Sequence, residues 1–424
     1  KYDAWDHFKV DDTFGGDEAL KDLIKEAHSR NMKVVLDCSL NHVHPRHFAF
    51  QDIVEKGEKS EYKDWFTVFD YPVRFLHRPH LYANTYKVGW DGNAEEYKTY
   101  LEKTFKETKV PVEVVDDDGP IIEPTFKAWW GVPDMPKINF KNDGARQWAL
   151  DVTEHWIKNF DIDGWRMDVA KELDFSFWKD FRDVAYSAKK DILLISEIFG
   201  DTSQWLQGER FDGTMNYSFR ETMTDYFATK RIDNKEFANS LANLYSMYSF
   251  EALSSCQNLL SSHDVKRFLN RCGANTDGMF GAIFLQATFP GIAGIYYGDE
   301  IGLGGADDPF NREPFPWESE DKWNKDLLKF TSELMNIKTS QPILRYGNFE
   351  MVTYDDNYVI FRRVLNDESL LCIVNRDLNN KDIELNTNAH SVDMVYGDCS
   401  IELDSGKLKI TDIADNFGLI IKES

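Results

Sequence analysis

The chain has 424 residues, 42% of them hydrophobic and 14% aromatic, and carries a formal net charge of −24 at pH 7. That length exceeds one ordinary domain of roughly 100–200 residues, and the apolar content excludes a disordered polymer. The charge argues against nucleic acid and against anionic membranes, both of which demand basic patches; a neutral polymer remains compatible.

Along the chain, Asp17 to Asn31 sets Leu20, Leu23, Ile24 and Ala27 at helical spacing behind an acidic first turn, which predicts a helix. A strand is expected next, at Lys33 to Leu36. About a hundred residues of different character follow, rich in aromatics, with the acidic run Asp116-Asp117-Asp118 and little helical periodicity. So long a connection is read as an inserted subdomain over 43–140. Helix-then-strand alternation then resumes: Gln147 to Asn159 before Ile162 to Met167, and Phe177 to Lys189 before Ile192 to Ile195. It continues with Phe237 to Tyr248 before Cys256 to Leu260, and Gly281 to Thr288 before Ala293 to Tyr297. This pattern predicts an α/β fold with a parallel sheet covered by helices. Met279 to Tyr297 is nearly long enough for a membrane span, but Gln286, Thr288 and the Pro290-Gly291 break divide it into a buried helix and a buried strand.

Beyond the helix Lys325 to Lys338 the segments turn short and β-rich: Phe349 to Tyr354, Tyr358 to Val364, Leu370 to Asn375, Ser391 to Tyr396, Leu408 to Ile410 and Leu419 to Ile421. They predict a C-terminal antiparallel β-sandwich over 342–424. The five cysteines (Cys38, Cys256, Cys272, Cys372, Cys399) are odd in number and lack CxxC spacing, so neither a disulfide framework nor a zinc site is expected, and a reducing, cytoplasmic home is.

Three short strand-like runs end abruptly in a carboxylate: Asp168 after Gly164-Trp165-Arg166-Met167, Glu197 after Leu194-Ile195-Ser196, and Asp264 after Ser261-Ser262-His263, which follow the apolar Leu259-Leu260. In a (β/α)8 barrel the C-terminal strand ends converge on one rim, so such groups meet over a single pocket. Glycoside hydrolysis needs that meeting, because one carboxylate attacks the anomeric carbon while another delivers a proton to the leaving oxygen.

These frames, with Asp37-Cys38-Ser39-Leu40-Asn41-His42, Met135-Pro136-Lys137-Ile138-Asn139, Phe211 to Tyr217 and Tyr296 to Glu300, stand in an order that resembles the α-amylase superfamily of glycoside hydrolases. Within it they are similar to the neopullulanase, cyclomaltodextrinase and maltogenic amylase branch. The intervals fit as well, 29 residues from Asp168 to Glu197 and 67 from there to Asp264. The resemblance implies a retaining hydrolase of α-1,4 and also α-1,6 glucosidic bonds in cyclodextrins, malto-oligosaccharides, pullulan or starch, with transglycosylation. It implies Asp168 as nucleophile, Glu197 as acid/base and Asp264 as a grip on sugar hydroxyls. Arg166 would keep Asp168 ionised; Asp37 would orient Arg166. His42 and His263 would donate to hydroxyls, Tyr2 would stack on the sugar, and Asp308 with Arg312 would close the non-reducing side. Trp130, beside Trp129, is either a stacking platform or subdomain core.

The implied architecture is a (β/α)8 barrel over 1–42 and 141–341, with its first two strands and an N-terminal dimer-building module expected outside this chain; a homodimer through that module follows. The 71–127 segment is longer than the branch implies, and Lys171-Glu172 stands where the branch often has Asn-Glu. No cofactor is required, while calcium is common in the superfamily and Asn41 is a position that sometimes supports it. The competing readings are an oligo-α-glucosidase and a non-catalytic glucan-binding homologue; the second typically loses the nucleophile or the acid, and both are present here.

Overall fold

The computed structural model describes residues 2–82, 93–374, 376, 382–413 and 417–424. The chain packs as two units, Lys1–Glu197 with Glu209–Phe211, and Ile198–Gly208 with Asp212–Ser424.

In the first unit, strand β1 (Val35–Cys38) follows helix Gly16–Ser29. A small mixed sheet comes next, of β2 (Phe75–His77), β3 (Val112–Val114) and β4 (Ile122–Pro124), ordered β3-β2-β4. Helix Asp143–Phe160 then leads into β5 (Gly164–Met167), and helix Phe177–Ala188 into β6 (Leu193–Ser196). Strands β1, β5 and β6 run parallel, with Asp37 opposite Arg166 and Met167 opposite Ser196. The helix before β5 starts at the Asn142 side chain, which accepts from the Ala145 N–H, and buries Trp148, Val152, Trp156 and Phe160 along one stripe. At Gly164 the neighbouring strands leave no room for a side chain. A Cβ there would lie 2.6 Å from the Leu193 carbonyl and 2.9 Å from Val35, so only glycine fits.

Just before β5, the buried Asp163 gathers donors from three segments. It accepts from the Val34 N–H at 2.9 Å, His28 Nε2 at 2.7 Å, Lys33 Nζ at 3.0 Å and Lys189 Nζ at 2.9 Å. Burial alone would raise its pKa, but these donors outweigh it and hold the carboxyl well below its usual range.

In the second unit, β7 (Gly213–Thr214), β8 (Gln257–Leu259) and β9 (Ile292–Gly294) continue the parallel, helix-separated pattern, Met215 bridging to Gln257 and Leu259 pairing with Gly294. Antiparallel strands follow: β10 (Asn348–Tyr354), β11 (Val359–Leu365), β12 (Glu368–Val374), β13 (Ile383–Asn386), β14 (Val392–Tyr396), β15 (Ser400–Asp404), β16 (Lys407–Thr411) and β17 (Gly418–Glu423). They form a five-stranded sheet ordered β10-β11-β12-β17-β14 and a three-stranded one ordered β13-β16-β15. Ile360, Leu371 and Ile421 of one share a core with Leu385, Leu408 and Ile410 of the other, which makes a sandwich. Asn375, the expected end of β12, lies outside the described residues. Helix Asp277–Thr288 ends on buried cations: Lys338 Nζ donates to the Ala287 and Phe289 carbonyls, and Arg363 Nη1 to that of Thr288 at 2.6 Å.

The structure differs from sequence expectation in several places: strands Ile383–Asn386 and Ser400–Asp404 and helix Phe48–Lys56 have no counterpart in it. The inserted segment contains a 15-residue helix, Ala94–Thr108, whose buried residues are Tyr97, Leu101, Thr104 and Thr108. With one aliphatic on that face, helical periodicity does not announce it. β1 begins two residues later than expected, at Val35, so that Asp37 lies inside the strand. Among the described residues no helix is long and apolar enough to cross a membrane.

Candidate active site

Asp168 and Glu197 leave the C-terminal ends of β5 and β6 directly after the paired residues Met167 and Ser196. Both are buried, and Arg166 lies on β5 itself, paired with Asp37 of β1 on one side and Ile195 of β6 on the other. Its Nη1 donates to Asp168 Oδ1 at 2.7 Å and to Asp37 Oδ1 at 2.8 Å, while Nη2 stands 3.8 Å from Glu197 Oε2. One guanidinium therefore faces three carboxylates. Burial alone would lower the Arg166 pKa, but Asp37, Asp168 and Glu197 outweigh it and hold the cation firmly charged. Tyr2 closes the far side, its hydroxyl donating to Asp37 Oδ2 at 2.6 Å and its ring 5.8 Å from the Arg166 guanidinium. Burial and the Asp37 charge both push the Tyr2 hydroxyl pKa upward, so it remains a donor.

His42 follows β1 on a segment pinned by the Met135–Asn139 motif: the Val43 N–H donates to the Pro136 carbonyl at 3.1 Å and the Ile138 N–H to that of Asn41 at 2.9 Å. Its ring stacks on Trp129 at 5.1 Å, and Trp129 stacks on Trp130 at 4.9 Å. Trp130 is 83% exposed, which removes it from the subdomain core. Burial pushes the His42 pKa down to about 4, so the imidazole is neutral at ordinary pH. Glu172 pairs with Lys137 of the same motif at 2.9 Å.

In the second unit, His263 and Asp264 follow β8 on the Ser261–Asp264 turn, with His263 Nε2 3.2 Å from Asp264 Oδ2. Arg312 Nε meets Asp308 at 3.0 Å and donates to the His263 carbonyl at 3.1 Å; its Nη2 stands 3.9 Å from Asp264. Sequence reasoning passes over the residue that organises this turn, Asn311. Fully buried, it donates its amide to the carbonyls of His263 at 2.9 Å and Val265 at 3.0 Å. Its place inside the Asp308–Arg312 motif is the only signal that could have found it. The expected residues thus fall into two sets: Tyr2, His42, Trp130, Arg166, Asp168 and Glu197 in the first unit, His263, Asp264, Asp308 and Arg312 in the second.

A calcium ion takes roughly 6–8 oxygen ligands. Asn41 offers a buried amide oxygen, and among the described residues no group of three or more His, Cys, Asp or Glu side chains is placed to hold a metal.

Residues 1–111 and 125–346 match the alpha-amylase family, described as the alpha amylase catalytic domain. Among curated relatives, the chain is 32% identical over 387 residues to a cyclomaltodextrinase of Thermoanaerobacter pseudethanolicus, covering 91% of this chain and 59% of that protein. It is 35% identical over 377 residues to neopullulanase 2 of Thermoactinomyces vulgaris, covering 88% and 57%. The chain therefore spans less than two thirds of the length of these relatives. Among solved structures, a cyclomaltodextrinase superimposes with a TM-score of 0.82 at 29% identity, over 100% of this chain and 66% of that one. The cyclic α-maltosyl-(1→6)-maltose hydrolase of Arthrobacter globiformis does so with a TM-score of 0.79 at 28% identity, over 100% and 82%.

Proposed function

The chain belongs to the alpha-amylase family, with its (β/α)8-barrel fold and C-terminal antiparallel sheets, and from that premise we propose that it carries the catalytic machinery of a retaining glycosidase. Its substrates are α-1,4-linked glucans: cyclodextrins, malto-oligosaccharides, pullulan or starch. One observation supports this most. Asp168 and Glu197 leave neighbouring parallel strands side by side; strands lie about 4.8 Å apart, close to the roughly 5–5.5 Å between the two carboxyls of retaining enzymes.

In this reading Asp168, kept ionised by Arg166, attacks the anomeric carbon as Glu197 protonates the departing oxygen; Glu197 then takes a proton from the water that releases the sugar. Asp37 serves to hold Arg166 and Tyr2. The neutral His42 is assigned to donate an imidazole N–H to a sugar hydroxyl. Tyr2 and Trp130 offer aromatic faces to the sugar. In the second unit, Asp264 and His263 are assigned to gripping sugar hydroxyls, with Arg312 and Asp308 beside them. The five cysteines, all free thiols, support a reducing cellular interior.

Reducing-sugar release from β-cyclodextrin, soluble starch and pullulan tests the reading. Attack on cyclodextrin faster than on starch is expected. No release from any substrate by a folded protein sinks it.

A further inference from the structure

Val169, the residue after Asp168, has a φ of 41° and a ψ of 42°. A β-branched residue in the left-handed region is a genuine outlier, because its side chain crowds the backbone. Such strain persists only where the surroundings impose it, and here they do so on both sides. The Asp168 N–H donates to the Cys38 carbonyl at 2.9 Å, and the Val169 carbonyl accepts from the Glu172 N–H at 2.8 Å. The Ala170 carbonyl accepts from the Trp178 indole at 2.9 Å, and Trp178 is fully buried against Phe181 and Phe211.

What the strained turn achieves is the aim of one N–H. Val169 donates to Glu197 Oε2 at 2.8 Å, the oxygen that Arg166 Nη2 also faces at 3.8 Å. A proton placed on Oε2 would meet an N–H donor and a guanidinium, so the neutral carboxyl carries its proton on Oε1. We infer that Val169 is a positioning residue for the acid/base: its strained peptide fixes Oε2 as a standing acceptor and thereby assigns Oε1 as the oxygen that moves the proton. The inference rests on the reading of Glu197 as acid/base. In the first step the Oε1–H bond breaks as the leaving oxygen gains that proton, while the Asp168–anomeric carbon bond forms and the glycosidic bond breaks with its electron pair going to the leaving oxygen.

The test replaces Val169 with the α-hydroxy acid that bears the same side chain, turning the N–H into an ester oxygen. kcat/KM reports the glycosylation step, and is measured on maltohexaose, whose leaving oxygen needs protonation, and on α-maltosyl fluoride, whose leaving group needs little. We expect kcat/KM on maltohexaose to fall by about tenfold to a hundredfold and that on the fluoride to stay at the wild-type value. Trp178→Phe, which removes the indole donor and keeps an aromatic ring at the position, gives the same split with a smaller loss. An ester variant that leaves both substrates unchanged, or depresses both equally, overturns the inference and leaves the hydrolase reading standing. A wild-type protein inactive on both substrates overturns the hydrolase reading and the inference with it.

Discussion

Asp163 and Asp168 flank the same four-residue strand and both are buried, yet their surroundings have opposite sign. At the N-terminal end, Asp163 meets two lysines, a histidine and a backbone N–H, so both of its oxygens are answered by donors, with Asp161 sharing Lys189. At the C-terminal end, Asp168 shares one arginine with Asp37 and Glu197, and anions outnumber the cation. A fully answered charge ties segments together; crowded carboxylates around one guanidinium are expensive to fold and are kept where chemistry needs them. That division follows the barrel rule that stability sits at the bottom of a strand and catalysis at its top.

Substitutions at the two ends should separate activity from stability. Asp168→Asn is expected to lower kcat by about 10⁴-fold or more while leaving the urea midpoint at or above the wild-type value, since it removes one of the crowded charges. Arg166→Lys keeps the charge but cannot hold Asp37 and Asp168 through one planar fork, and should cost about 10²-fold in kcat/KM. Asp163→Asn works in the other direction. It takes one carboxylate from Lys189, which keeps Asp161 at 2.8 Å, and should destabilise by about 1–2 kcal/mol in urea titration, discounted because Lys33 is largely exposed; the kcat of the folded fraction should not change.

The same residue carries a pH signature. Its folded pKa is depressed, so its stabilisation is complete above the unfolded value of about 3.9 and is lost as pH falls below it. Acid unfolding of Asp163→Asn should be correspondingly flatter below that pH. The smallest effect is expected from EDTA: the proposed steps use only side chains, so dialysis against the chelator should leave reducing-sugar release unchanged.

Much of this was legible in the sequence because its signals are local. An apolar run ending in a carboxylate is a strand end with a charge on it, and Arg166, two residues before Asp168, must share its face. Helix Ala94–Thr108 was not legible from periodicity, because tyrosine and threonine do most of the covering; Asn93 and Glu96 do form a capping box, which the sequence displays. The donors around Asp163 come from residues about 26 to 135 positions away, and no pattern along the chain assembles them. Nor does any propensity announce the left-handed Val169, since valine is among the residues that resist that conformation. Where local preference is overruled in this way, the sequence points elsewhere and tertiary structure decides.

The central claim, that Asp168 is the nucleophile of a retaining hydrolase, is tested most directly by trapping. Incubation with a slowly turned-over 5-fluoro-α-glucosyl fluoride, followed by proteolysis and mass spectrometry, should find one glycosyl adduct, on the peptide that carries Asp168. An adduct on another residue, or none from protein that hydrolyses the fluoride, would contradict it.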